Sequence, residues 1–283
     1  MLFYANVSMA QMLQKLRTLL ALPGQERNAK IKLVLGYRFH LWISRLIYST
    51  GGYWLNRTRS RYMLEYRPDS HCDFDTFKDY QSLLKLWLAG NRYRNCGDLA
   101  RFYALCLNVK QVLADGVPGE FVELGVYKGN SAGILAMLAR RHGRHVFLFD
   151  TFGGFDERDL RGVDSQQSVQ FADTSLTGVR MLLGTENITY VQGFFPESVE
   201  KFEMPQRIAV AHIDCDLYEP MKAGLEWFYP RLSPGGIMLL HDYSSGHWPG
   251  ATRAIDEFFR NLPEKPILVP DKSGTAIVRR ATY

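Results

Sequence analysis

From about residue 120 onward the chain alternates short apolar runs with stretches of helical periodicity. The runs are GEFVELGV, HVFLFD, ITYVQGFF, IAVAHIDCD and GGIMLLHD. Between them lie helical patterns at 130–142, 175–184, 219–231 and 250–261, with a shorter piece near 196–203. Strands alternating with helices at this rhythm predict a parallel sheet covered on both faces, a doubly wound α/β fold. The closing run, PILVPDKSGTAIVRR, is two extended pieces about an SG turn and predicts an antiparallel hairpin at the sheet edge.

The front of the chain has a different pattern. In residues 8–20, Met9, Met12, Leu13, Leu16, Leu19 and Leu20 recur at helical spacing, and PG at 23–24 ends the run. A second helical stretch over 30–48 is closed by STGG, and 50–75 reads as an irregular polar-aromatic loop able to cover a site. Helical periodicity resumes in DTFKDYQSLLKLWLAGN and DLARFYALCLNVKQVLADG. In the latter, Leu99, Phe102, Tyr103, Cys106, Val109 and Leu113 form one stripe, with Asp98 as N-cap and Gly116 as stop. The expected division is an N-terminal helical extension, a lid or dimer contact, over 1–73 and a main domain over 74–283.

Composition narrows the class. A 46% hydrophobic, 22% charged chain of 283 residues can bury a large core and is not a disordered polymer. Four cysteines without C-x-x-C spacing read as reduced thiols. No basic-then-apolar leader is visible, and the most apolar window, 31–48, is broken by Lys32, Arg38, His40 and Arg45, so a cytoplasmic protein is expected. Residues 1–70 hold eleven Lys/Arg against three Asp/Glu, while the whole chain is +5. Such a basic front could meet a membrane surface or an anionic partner, or be a solvated helix face. No G-x-S-x-G elbow or Cys–His pair suggests acyl chemistry.

In open α/β sheets ligands sit beyond the carboxyl ends of the strands. Those ends carry Glu123, Asp150, the Gly193 turn, Asp214 with Asp216, and His241 with Asp242. In FVELGVYKGNSAGILAMLA, Gly125 and Gly129 allow close backbone approach and the following helix offers free N–H groups. The spacing is not the G-x-G-x-x-G of dinucleotide binders, and Glu123 would repel a pyrophosphate. A ligand with a cationic end, such as S-adenosylmethionine, suits it better, although glycines that serve only the packing of a tight turn give the same pattern. Asp150, at the tip of the next run, is placed to accept from a ribose diol or to cap a turn.

Five motifs taken in order, VELGVYKGNSA, LFDTFGGF, GFFPES, HIDCDLYEP with YPRLSPGG, and HDY before GATRAIDEFF, resemble the macrocin O-methyltransferase (TylF-like) family over about residues 75–260. These are class I S-adenosylmethionine-dependent methyltransferases with a Rossmann-like sheet, several acting on sugar or phenol hydroxyls of natural products. The resemblance implies that Glu123, Gly125, Tyr127, Gly129 and Ser131 lie along the methionine end of the cofactor. Asp150 would hold the ribose, with Gly193 and Phe194 beside the adenine and Phe152 or Phe194 forming an apolar wall. It also implies a divalent metal, Mg²⁺ or Mn²⁺, on Asp214, His241 and Asp242. His241 stands where the family has an aspartate. An imidazole there suits Mn²⁺ or Zn²⁺ better than Mg²⁺; without a metal, His241 could itself take the proton, or it could serve only as a structural hydrogen-bonding group.

Three nearby residues have plainer readings. His247, in SSGHWPG, is a possible base but equally a solvated loop histidine. Cys215, between two aspartates of an extended run, points to the opposite side and packs. His212 lies inside the strand and is satisfied there. The expected function is methyl transfer to a hydroxyl of a sugar-containing small molecule or glycan, with Asp214, His241 and His247 as candidate catalytic groups. A non-catalytic S-adenosylmethionine-binding module and an oxidoreductase on the same fold are the alternatives. The expected partners are the acceptor and a second copy of the chain, with no nucleic acid.

Overall fold

A computed structural model describes residues 80–90 and 98–282. The chain divides into two units, Met1–Cys72 and Asp73–Tyr283, and the helices and loop expected before residue 80 lie outside the described residues. In the second unit, α1 (Tyr80–Gly90) and α2 (Leu99–Ala114) precede β1 (Glu120–Leu124), α3 (Asn130–Arg141) and β2 (Val146–Asp150). Then come α4 (Leu176–Leu183), β3 (Ile188–Gln192), β4 (Ile208–Ile213), α5 (Tyr218–Phe228), β5 (Leu232–Leu240) and α6 (Pro249–Phe259). The hairpin β6 (Ile267–Leu268) and β7 (Ala276–Arg279) closes the fold. Short 3-10 turns at Glu157–Asp159, Gly162–Asp164, Glu197–Lys201 and Tyr229–Arg231 fill the connections.

The strands form a seven-stranded sheet in the order β3-β2-β1-β4-β5-β7-β6. The first five are parallel and β7 is antiparallel to both neighbours, as the SG-turn hairpin predicted. The near-continuous apolar runs follow from burial on both faces. Successive β1 residues feed opposite cores: Phe121 packs with α1, α2 and α3, while Val122 and Leu124 pack with α5 and α6. No described helix is long and apolar enough to cross a membrane.

Helix α2 departs from its predicted stripe by part of a turn. Its buried face is Arg101, Phe102, Leu105, Cys106, Val109 and Val112, with Leu99, Tyr103 and Leu113 half-buried beside it. Asp98 is the N-cap, its Oδ1 accepting from the Arg101 N–H at 3.2 Å. The shift brings a guanidinium onto the sheet, where only a polar partner can make its burial tolerable.

The other face has a polar anchor of its own. Asp164, fully buried, accepts from the Tyr218 N–H at 2.7 Å and so caps α5, whose own N-cap residue, Leu217, has no side chain able to do this. It lies so close to α6 that a side chain at Gly250 would stand 2.2 Å from its carboxylate. Asp164→Ala is expected to cost about 1–2 kcal/mol, as loss of a helix cap does. Denaturant unfolding checks this, and a change below about 0.3 kcal/mol would contradict it.

Candidate active site

The carboxyl ends of the five parallel strands open onto one cavity of about 360 Å³. It lies across β1 and β4, where the strand order reverses direction, the position at which doubly wound sheets bind ligands. The two strand ends are tied by the main chain, with the Asp214 N–H donating to the Leu124 carbonyl at 2.8 Å. Gly125 has φ +89°, and a Cβ there would stand 1.9 Å from the Asp214 carbonyl oxygen, so only glycine fits.

Asp150 organises the loop after β1. Its Oδ2 accepts from the Val126 and Tyr127 N–H groups at 2.7 and 2.8 Å, and its Oδ1 from the Phe152 N–H at 2.6 Å. Among the described residues six non-glycine positions have left-handed φ, and four of them, Tyr127, Phe171, Asp216 and Asp242, line the cavity. Backbone strain is thus concentrated where a ligand would sit.

The residues expected at the site fall into two groups. Gly125, Tyr127, Ser131, Asp150, Gly193, Phe194, Asp214, His241, Asp242 and His247 line the cavity. Glu123, Gly129 and Phe152 do not. Glu123 has no exposed surface and lies under the helices, accepting from the Ser131 hydroxyl and from His212 Nδ1 at 2.8 Å. Gly129 is the N-cap of α3, against Val179 and Leu183. Phe152 turns into the apolar core. Cys215 also departs from expectation: β4 ends at Ile213, before either aspartate, so strand alternation does not apply. Cys215 borders the cavity while packing in the core.

Asp214, His241 and Asp242 form a tight centre. His241 Nδ1 is 2.8 Å from Asp214 Oδ1 and 2.8 Å from Asp242 Oδ2, and one potential ligand atom from each residue lies within 4.8 Å of the others. On its far side Asp214 Oδ2 accepts from Arg101 Nη2 at 2.5 Å. Burial alone would raise the Asp214 pKa, but Arg101 and His241 hold it well below the usual carboxylate range. Burial and Arg101 oppose a charge on His241, yet Asp214 and Asp242 outweigh them and push it up to about 10. Asp216 is moved the other way from Asp214: burial and the facing Asp242 and Asp214 carboxylates push it well above its ordinary value.

An aromatic arc faces this centre. Tyr127 meets Phe171 at 5.3 Å between ring centroids, Phe171 meets Phe155 at 5.1 Å, and Phe155 meets Trp248 at 5.5 Å. His247 is exposed and its ring stands edge-on to Trp248. Arg158 stacks 3.6 Å from the centre of the Phe194 ring. Sequence reasoning passed over Arg101 and this arc, and it placed Asp216 at the strand end without giving it a role. A lone arginine on an apolar helix face was the available signal for the first; the arc is assembled from separate loops and had none.

A model of the macrocin O-methyltransferase (TylF) family matches residues 94–276. The chain belongs to this family. Among curated relatives it is 34% identical over 150 residues to an 8-demethyl-8-(2,3-dimethoxy-alpha-L-rhamnosyl)-tetracenomycin-C 4'-O-methyltransferase of Streptomyces olivaceus, covering 48% of this chain and 57% of that one. It is 31% identical over 167 residues to a mycinamicin III 3''-O-methyltransferase of Micromonospora griseorubida, covering 53% and 64%. The chain thus spans under two thirds of these relatives' length. Among solved structures, the O-methyltransferase NovP is similar with TM-score 0.56 and 26% identity, over 64% of this chain and 80% of that one. The calicheamicin methyltransferase CalS11, at TM-score 0.51 and 24% identity over 74% and 94%, shares the fold.

The His241 geometry sets a pH dependence. Because the folded state raises its pKa from 6.5 to about 10, the stability it contributes is full below pH 6.5 and is lost as pH rises through about 10. In chelator, the melting-temperature advantage of the wild type over His241→Gln should therefore be largest near about pH 6 and shrink towards about pH 10. A constant difference across that range would contradict the arrangement.

Proposed function

We propose that this protein transfers a methyl group from S-adenosylmethionine to a hydroxyl of a sugar-containing acceptor. The observation that carries the proposal is the meeting, in one cavity at the β1/β4 reversal, of the Gly125 loop and the Asp214–His241–Asp242 centre. The relatives named for a rhamnosyl-tetracenomycin and for mycinamicin III support a sugar acceptor, and membership of a methyltransferase family speaks against the oxidoreductase alternative.

The loop after β1 would hold the methionine end of the cofactor, and Asp150, with three of its about four acceptor sites taken by backbone N–H groups, would offer the remaining one to a ribose hydroxyl. Gly193 and Phe194, which line the cavity, would flank the adenine. Glu123 acts from below, through Ser131, without touching the cofactor. The sulfonium supplies a good leaving group, so the protein's task is to align the acceptor oxygen with the methyl and receive its proton.

His241 is poorly suited to receive that proton, since its Nδ1 is held between two carboxylates that favour the charged imidazolium. Asp216 lines the same cavity, and its carboxylate, when ionised, is a stronger base than an ordinary one because burial and the neighbouring carboxylates raise its affinity for a proton. The donor set also fits a divalent cation: neighbouring ligand atoms about 2.1 Å from an octahedral ion are about 3.0 Å apart, close to the 2.8 Å from His241 Nδ1 to each carboxylate. Asp214, His241 and Asp242 would hold it, with Mn²⁺ or Zn²⁺ suiting the imidazole better than Mg²⁺. Such an ion would orient the acceptor oxygens and acidify the reacting hydroxyl.

The test is calorimetric titration with adenosylhomocysteine and with NAD, followed by assay of adenosylhomocysteine formation on phenyl α-L-rhamnoside and on catechol, with Mn²⁺ or Mg²⁺. Binding of adenosylhomocysteine alone and turnover of the rhamnoside are expected. Binding of NAD alone would overturn the cofactor reading, and turnover of catechol alone would overturn the sugar acceptor. Asp216→Asn should lower kcat by about 100-fold with little change in cofactor affinity, as removal of a general base does.

A further inference from the structure

Beneath the cavity floor a buried polar chain joins the two halves of the site. Glu123 on β1 and His212 on β4 are register partners and both face the α2/α3 side of the sheet. Arg101 descends onto them from α2. It is 5% exposed, His212 1% and Glu123 0%, so water screens none of them appreciably. Arg101 Nη2 donates one hydrogen to Asp214 Oδ2 at 2.5 Å and the other to His212 Nε2 at 3.3 Å. A guanidinium can only donate, so His212 Nε2 accepts and its Nδ1–H donates to Glu123 Oε1 at 2.8 Å. The Ser131 hydroxyl, in the first turn of α3 behind the Gly125 loop, donates to that same oxygen.

We propose that Arg101 is the positioning residue of the centre, fixing the Asp214 carboxylate by one oxygen and bracing it through His212 and Glu123 against the helix that carries the cofactor loop. Three observations carry this. Asp214 is a short side chain in a cavity also lined by Asp216 and Asp242, and it is held from both sides, by His241 at Oδ1 on the reacting side and by Arg101 at Oδ2 behind it. Among the described residues Arg101 is its only arginine or lysine partner. Arg101 takes Oδ2 and leaves Oδ1 towards His241, so Asp214 presents a single oxygen to the reacting side. A guanidinium buried on the apolar face of α2 serves packing poorly; removing its partner would leave an uncompensated charge.

This inference rests on the methyl-transfer reading for its kinetic arm alone. The experiment is a cycle of wild type, Arg101→Met, Asp214→Asn and the double variant, each melted in chelator and titrated with adenosylhomocysteine. Arg101→Met should melt lowest, because it strands the Asp214 charge, and adding Asp214→Asn should raise its melting temperature. Adenosylhomocysteine affinity should stay within about threefold throughout, while kcat on phenyl α-L-rhamnoside falls about 100-fold in Arg101→Met with KM within about threefold. Arg101→Lys, a point charge without the fork, should recover about tenfold of that loss. A double variant melting at or below Arg101→Met would overturn the proposal, as would parallel loss of activity and adenosylhomocysteine affinity. If Arg101→Met is insoluble, a soluble double variant supports the proposal and an insoluble one contradicts it. If the wild type does not turn over the rhamnoside, that acceptor reading fails and the melting cycle still decides the role of Arg101.

Discussion

The Asp214 main chain meets Gly125 where β1 and β4 lie side by side and the strand order reverses. The Asp214 N–H holds the last carbonyl of β1, and its own carbonyl leaves no room for a Cβ at residue 125. That contact brings two loops of different chemistry within one cavity: a glycine-containing turn leading into a helix N-terminus, and a carboxylate centre. The sheet on either side keeps it closed, since apolar residues of alternating orientation fill the cores beneath both helical layers. A parallel sheet covered on both faces leaves its strand ends as the place for polar groups, and this chain uses all five.

Electrostatic balance around Asp214 follows from that placement. Several carboxylates share the cavity, and they sort into different states according to their partners. Asp214, between Arg101 and His241, is held strongly anionic, whereas Asp216, facing other carboxylates, is pushed towards holding a proton. The site thus holds neighbouring acids of widely separated proton affinity, a pattern suited to acid–base chemistry. One of the two cations that permit it comes from α2, outside the sheet, and the buried line from Arg101 to Ser131 makes the start of α3 behind the Gly125 loop and the carboxylate centre parts of one hydrogen-bonded unit.

Much of this was legible in the order of residues. The five apolar runs and the SG-turn hairpin specified the sheet, because buried parallel strands leave a distinctive continuous pattern. Asp98, Gly116 and the 175–184 helix were also readable, since local hydrogen bonding and backbone sterics govern helix ends. The burial of Glu123 was not, and for Cys215 the packing was legible but its place on the cavity border was not. Which side of a strand end points into a cavity depends on where the strand stops, and β4 stops one residue before Asp214. Arg101 was hidden for another reason: periodicity weights apolar positions, so a charge within the stripe looked like its edge, and only the three-dimensional pairing with Asp214 across 113 residues gives it a role. The aromatic arc of Tyr127, Phe171, Phe155 and Trp248 likewise joins loops that follow different strands.

The most direct measurement is a crystal structure of the protein with adenosylhomocysteine bound. The sulfur should lie beside the Gly125 loop, with the side that would bear the methyl open towards Asp214, His241 and Asp242, the ribose on Asp150 and the adenine against Phe194. A sulfur whose open side faces away from those three residues, or a homocysteine arm seated elsewhere in the cavity, would contradict the assignment of the centre to the transferred methyl group.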